Sequence, residues 1–137
     1  MPEGAAIRWG WLKFMYIYTI VGAGACGFGI VVAPDVMISL FRWPKQDPIM
    51  LGVVGSVYLA FGLLSILGLR SPLKFVPVLL LQLCYKLLWL LGVIVPMLVV
   101  GDLPSHGPVF VGIFASYIVG DLIAIPFPYA FARQPAE

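Results

Sequence analysis

Residues 75–100 read FVPVLLLQLCYKLLWLLGVIVPMLVV. Lys86 is the only charge in that run, and Gln82 and Tyr85 are its other polar side chains of any size. A helix needs about 20 apolar residues to cross a hydrocarbon core of roughly 30 Å, and this run exceeds that length. It lacks the polar–apolar alternation over about ten positions that a membrane strand requires, so it reads as a buried helix with Pro77 in its first turn. Three further runs of the same kind occupy residues 14–32, 49–69 and 109–127. Ala33-Pro34-Asp35 closes the first, Asp47-Pro48 and Arg70-Ser71-Pro72 bound the second, and Pro128 and Tyr129 follow the fourth. The fold predicted is an all-α membrane protein, a single domain of four transmembrane helices in a bundle.

Composition agrees with the runs. Of 137 residues 62% are hydrophobic and 10% charged, with a mean hydropathy of +1.07. Soluble domains carry about 25% charged residues. A net charge of +2, with eight Lys and Arg scattered along the chain, leaves no footprint for nucleic acid. Cys26 and Cys84 both fall inside apolar runs and form no CxxC pair. Glu3, Arg8 and Lys13 precede the first run and no cleavage site follows it, which favours a retained span over a signal peptide.

Loop charges set an expected orientation. Arg8, Lys13, Arg70, Lys74 and Arg133 fall on one side of a four-span topology, and Arg42 and Lys45 on the other. The positive-inside rule then places both termini in the cytoplasm and the chain in the inner, plasma, membrane. Trp9, Trp11, Tyr129 and Phe131 are expected in the inner aromatic belt and Trp43 in the outer one. Residues 34–43 are too few to span and mix apolar side chains with Asp35, Ser39 and Arg42, the pattern of a short interfacial helix in the first loop.

The string Gly22-Ala23-Gly24-Ala25-Cys26-Gly27 fits G-x-G-x-x-G, but a dinucleotide fingerprint needs a strand before it and free amides at a helix start. Mid-span, small residues serve helix packing instead. Thr19, Gly22, Cys26 and Gly29 form one stripe at helical spacing, and Gly55, Tyr58, Gly62 and Ser65 a second; both are expected to face inward.

Lys86 and Asp121 are the two ionisable residues deep in apolar runs. Lys86 lies about 14 Å along its helix from Pro77, and Asp121 about 12 Å from Tyr129, so antiparallel neighbours bring them to one depth. A lone charge there costs at least about 2.5–3.5 kcal/mol, and a Lys86–Asp121 ion pair is the expected remedy. Gln82, Trp89, Tyr117 and Tyr58 sit at matching positions and complete an expected polar pocket with aromatic walls. With no second carboxylate, histidine or thiol placed at that depth, catalysis is disfavoured. His106, the only histidine, reads as a solvated loop residue.

Ala33-Pro34, Gly52 and the string Tyr58-Leu59-Ala60-Phe61-Gly62-Leu63-Leu64 resemble the DoxX-like group of small four-helix membrane proteins. Gln82-Leu83-Cys84-Tyr85-Lys86-Leu87-Leu88-Trp89-Leu90 and Gly120-Asp121-Leu122-Ile123-Ala124-Ile125-Pro126 are similar to an uncharacterised branch of it. That group includes a membrane subunit linked to a thiosulfate:quinone oxidoreductase, so the resemblance implies an accessory role near quinone chemistry. The leading expectation is therefore a non-catalytic accessory or interaction subunit, working with a membrane-complex partner or as a homo-oligomer, its core organised by Lys86 and Asp121. The alternatives are binding or transport of an amphipathic quinone, lipid or sterol in an intramembrane pocket, and proton-coupled transport through Asp121.

Overall fold

The computed structural model describes residues 6–135; Glu3 lies outside the described residues. Regular structure among them is helical throughout: α1 (Trp9–Val32), α2 (Pro34–Phe41), α3 (Pro48–Arg70), α4 (Val76–Val100), α5 (Gly107–Ala124) and α6 (Phe127–Ala130). Of these, α1, α3, α4 and α5 are long and apolar enough to cross a membrane.

The helix ends follow from local chemistry. Pro34, Pro48, Pro77 and Pro108 stand in first turns, where a missing amide proton costs nothing. The Asp47 side chain caps α3 by accepting from the Ile49 amide at 3.0 Å. Two ends differ from the reading of the sequence. α1 begins at Trp9, ahead of the run's start at residue 14, because Leu12, two residues before that start, is already fully buried. α5 stops at Ala124, short of residue 127, because Ile125 precedes Pro126 and takes an extended conformation (φ −71°, ψ 124°). The short helix expected in the first loop is present as α2, closed by Arg42 in the left-handed region (φ 56°).

α1 packs against α3 and α5, and α4 against α5 and α3. Two π-helical turns interrupt the regular ladder, Ile20–Gly24 in α1 and Leu90–Ile94 in α4. The second lies directly before Pro96, whose ring displaces the carbonyl four residues back. The first has a larger effect on packing. A π turn inserts one residue into the helical repeat, so every later side chain is carried one position round. The stripe Gly22, Cys26, Gly29 accordingly gives way to Ala23, Gly27 and Ile30, all buried.

Those residues meet α3 at close quarters. A Cβ on Gly62 would lie 2.5 Å from the Gly24 Cα, and one on Gly27 would overlap the Leu59 amide. Gly55 receives the Ile30 side chain. Gly55 and Gly62 pack against Gly24, Gly27 and Ile30. In the first stripe, Gly29 receives Met37 of α2, while Gly22 admits the Tyr117 hydroxyl.

The hydrophobic core centres on Leu12, Met15 and Tyr16 of α1, Val76, Leu79 and Leu83 of α4, and Tyr117, Ile118 and Ala124 of α5. It lies towards the end of the molecule where Arg8 Nη1 donates to the Ile123 carbonyl at 3.1 Å and the Tyr16 hydroxyl donates to the Pro72 carbonyl at 2.6 Å. The outward faces stay apolar: Val21, Phe28, Leu63, Leu88, Val99 and Val119 are all more than half exposed. Four such helices suggest a multi-pass membrane protein, since lipid tails solvate a surface of this kind.

Candidate ligand-binding cavity

Five polar side chains are buried among the described residues: Thr19, Ser65, Gln82, Lys86 and Asp121. Thr19 Oγ1 donates within its own helix to the Met15 carbonyl at 2.8 Å and stands 3.1 Å from Gln82 Oε1, which ties α1 to α4. Gln82 Nε2, Ser65 Oγ and both Asp121 carboxyl oxygens have no hydrogen-bond partner. An unpartnered buried polar group costs about 1–3 kcal/mol, so this layer is held together by its surroundings and not by its own bonds.

Lys86 follows a different course from the one predicted. The expected Lys86–Asp121 ion pair is not made as a direct contact. Lys86 Nζ donates to the Tyr85 hydroxyl at 2.7 Å and lies 4.3, 4.4 and 4.8 Å from the ring centres of Tyr117, Tyr85 and Phe114. Aromatic faces carry partial negative charge and stabilise a cation without an anion. The four-carbon stem carries the nitrogen into this box, which the depth argument, blind to direction, does not capture.

The box is one wall of a cavity of about 190 Å³, lined by Lys86, Tyr58, Tyr85, Phe114, Tyr117 and Cys26, with Gly22, Ala23, Phe41, Phe110 and Ile113 completing it. A larger groove of about 500 Å³ shares Tyr58, Tyr85, Phe110 and Phe114 with it and extends to Trp89, Trp43, Gln46 and His106. The polar end of this double space is thus a lysine deep among aromatic rings, and its body is apolar.

Three of the six predicted pocket residues, Tyr58, Lys86 and Tyr117, line the inner cavity. Trp89 joins them through the outer groove, its ring 4.7 Å from that of Phe114. Gln82 and Asp121 sit behind the wall, both fully buried. Cys26, read from the sequence as a packing residue, borders the cavity after the π turn, so a thiol lines the same space as Lys86. His106 is half-buried at the far end of the groove and is not a freely solvated loop residue.

Sequence reasoning missed Phe114, Tyr85 and the cover. Phe114 was available as the residue three before Tyr117 on one helix face. Tyr85 was not, because consecutive helical residues point about 100° apart and only the reach of a phenol brings its hydroxyl back to Lys86. The cover is the aromatic cluster of Phe41, Trp43 and Phe110. Phe41 and Trp43 stack at 5.1 Å, and each lies 5.5 Å from Phe110, which fastens α2 to the start of α5.

The π turn of α1 is itself part of the wall. The Tyr117 hydroxyl accepts from the Ala23 amide at 3.1 Å and donates to the Tyr18 carbonyl at 3.1 Å, bridging two backbone groups five residues apart. Gly22 makes this possible, since a Cβ there would overlap the same hydroxyl. Compared with known proteins, the chain matches no family model, no curated protein and no solved structure.

Proposed function

We propose that this protein binds an amphipathic small molecule inside the membrane, a quinone, lipid or sterol whose head group accepts a hydrogen bond from Lys86. The observation that carries the reading is that the one Lys or Arg buried among the described residues lines a cavity among the rings of Tyr85, Phe114 and Tyr117. Lys86 spends one of its three donor positions on Tyr85, which leaves donors for a carbonyl or carboxylate. The groove beyond, walled by Val53, Val57, Trp89 and Phe114, suits an apolar body.

The same reading takes the end bearing Arg8, Arg70, Lys74 and Arg133 as cytoplasmic and the membrane as the inner, plasma, membrane. The groove then opens towards the outer leaflet. In this setting the accessory role expected from the sequence becomes that of a holder, keeping an amphipathic molecule for a membrane partner. The DoxX-like resemblance supports trying quinones first.

Trp89 and Trp43 line the groove and report on it. A short-tailed benzoquinone added to the purified full chain in mild detergent should quench their fluorescence saturably, and Lys86→Met should weaken the saturable phase by about tenfold or more, as expected for loss of a charged hydrogen bond. If quinone, fatty acid and sterol all give only linear quenching, identical in Lys86→Met, the proposal fails.

A further inference from the structure

A second groove, of about 650 Å³, lies at the opposite end of the fold from His106. Its polar rim is Lys74, from the turn between α3 and α4, and Arg133, after α6; Tyr129 stands with them. Its apolar wall is Leu73, Pro77 and Leu80, which carry the surface along the first turns of α4. We propose that this groove is a binding site for an anionic phospholipid, with the phosphate between Lys74 and Arg133 and an acyl chain along Pro77 and Leu80.

The charge distribution selects the ligand's sign. Lys74 and Arg133 come from separate segments and converge on one groove, and both are exposed. The carboxylates of the described residues lie elsewhere: Asp35 is in the first turn of α2 and Asp47 and Asp102 are in the loops beside α3 and α4, at the other end, and Asp121 is buried. Two cations facing one space, with no carboxylate of the described residues lining it, favour an anion that can contact both.

The position selects a lipid over a soluble phosphate. The rim coincides with the start of α4, where the apolar span ends and lipid phosphates lie, and Tyr129 has the amphipathic ring that settles at that level. Directly below, the wall offers apolar side chains and no further charge. A basic notch between helices at a membrane face is how anionic head groups are held. The inference rests on the four helices spanning a membrane, and it is independent of any ligand at Lys86.

The test uses the full chain reconstituted in vesicles of phosphatidylcholine with increasing phosphatidylglycerol, then released in mild detergent for native mass spectrometry. Flotation with the vesicles checks the membrane reading separately. Retained phosphatidylglycerol should exceed phosphatidylcholine by about tenfold. The double variant Lys74→Gln with Arg133→Gln should lose that preference while unfolding at the same temperature, and Arg70→Gln should keep it. Equal retention of the two lipids, an undiminished preference in the double variant, or displacement of the lipid by inorganic phosphate would each overturn the proposal.

Discussion

Lys86 and Asp121 are both sealed within the helix cluster, 1% and 0% exposed, yet neither Asp121 oxygen accepts a hydrogen bond from Lys86 or from anything else. The lysine has its own partners in Tyr85 and three aromatic faces. The carboxyl has none.

Unequal dependence is the measurable consequence. Lys86→Met removes a hydrogen bond and three ring contacts and isolates the carboxyl, so it should cost about 2–4 kcal/mol. Asp121→Leu removes two unpartnered oxygens and should cost about 1 kcal/mol or less. Chemical unfolding in detergent measures both, and equal losses would restore a direct ion pair. The double variant should be more stable than Lys86→Met alone.

Tyr117→Phe deletes the hydroxyl that bridges the Ala23 amide and the Tyr18 carbonyl. Two backbone groups then lose their partner in a medium that supplies none, at about 1–3 kcal/mol. Hydrogen exchange should accelerate at residues 20–24 first. Tyr18→Phe is the control: its hydroxyl bonds exposed Ser116 at 2.6 Å and should matter by less than about 1 kcal/mol.

Glycines divide sharply by environment. Gly62→Leu drives a side chain into the Gly24 backbone and should separate α1 from α3, with loss of folded protein after extraction. Gly52→Ala and Gly92→Ala meet nothing within 4 Å and should leave the unfolding midpoint within about 1 kcal/mol of the parent. Size-exclusion profiles distinguish the two groups, and a stable Gly62→Leu would contradict the close helix contact.

Cys26→Leu places added volume in the cavity with little demand on the helix. Quinone quenching of Trp89 should fall while the folded state loses no more than about 1–3 kcal/mol. Unchanged quenching would mean that the ligand occupies the outer groove without reaching Lys86.

The four long helices were legible because apolar length between proline and charge is a local property, visible at residues 49–69 and 75–100 without knowledge of any neighbour. Their rotations were only partly so. Gly55 and Gly62 lie on an uninterrupted helix, and their inward face survives intact. Gly22 lies within a π turn and Cys26 and Gly29 follow it, a turn that nothing in their own residue types announces, because its partner, Tyr117, is supplied by another helix. At the site, Lys86 and Tyr117 stood out as polar groups in apolar runs, whereas Phe41, Phe110 and Phe114 looked like ordinary lipid-facing or core residues. Cavity walls made of aromatic rings have no signature apart from the tertiary arrangement that gathers them.

The hydroxyl of Tyr117 reaches across 94 positions of sequence to the Ala23 amide. On a ribosome that separation is an interval of time. α1 is made first, and its widened turn acquires its bridge only when α5, the last long helix, has been made and docked. Of the four long helices described, the one made earliest is thus finished by the one made latest. A chain halted anywhere before residue 117 carries an α1 whose second half has no such anchor for its rotation, and assembly closes from the C-terminal end back onto the beginning.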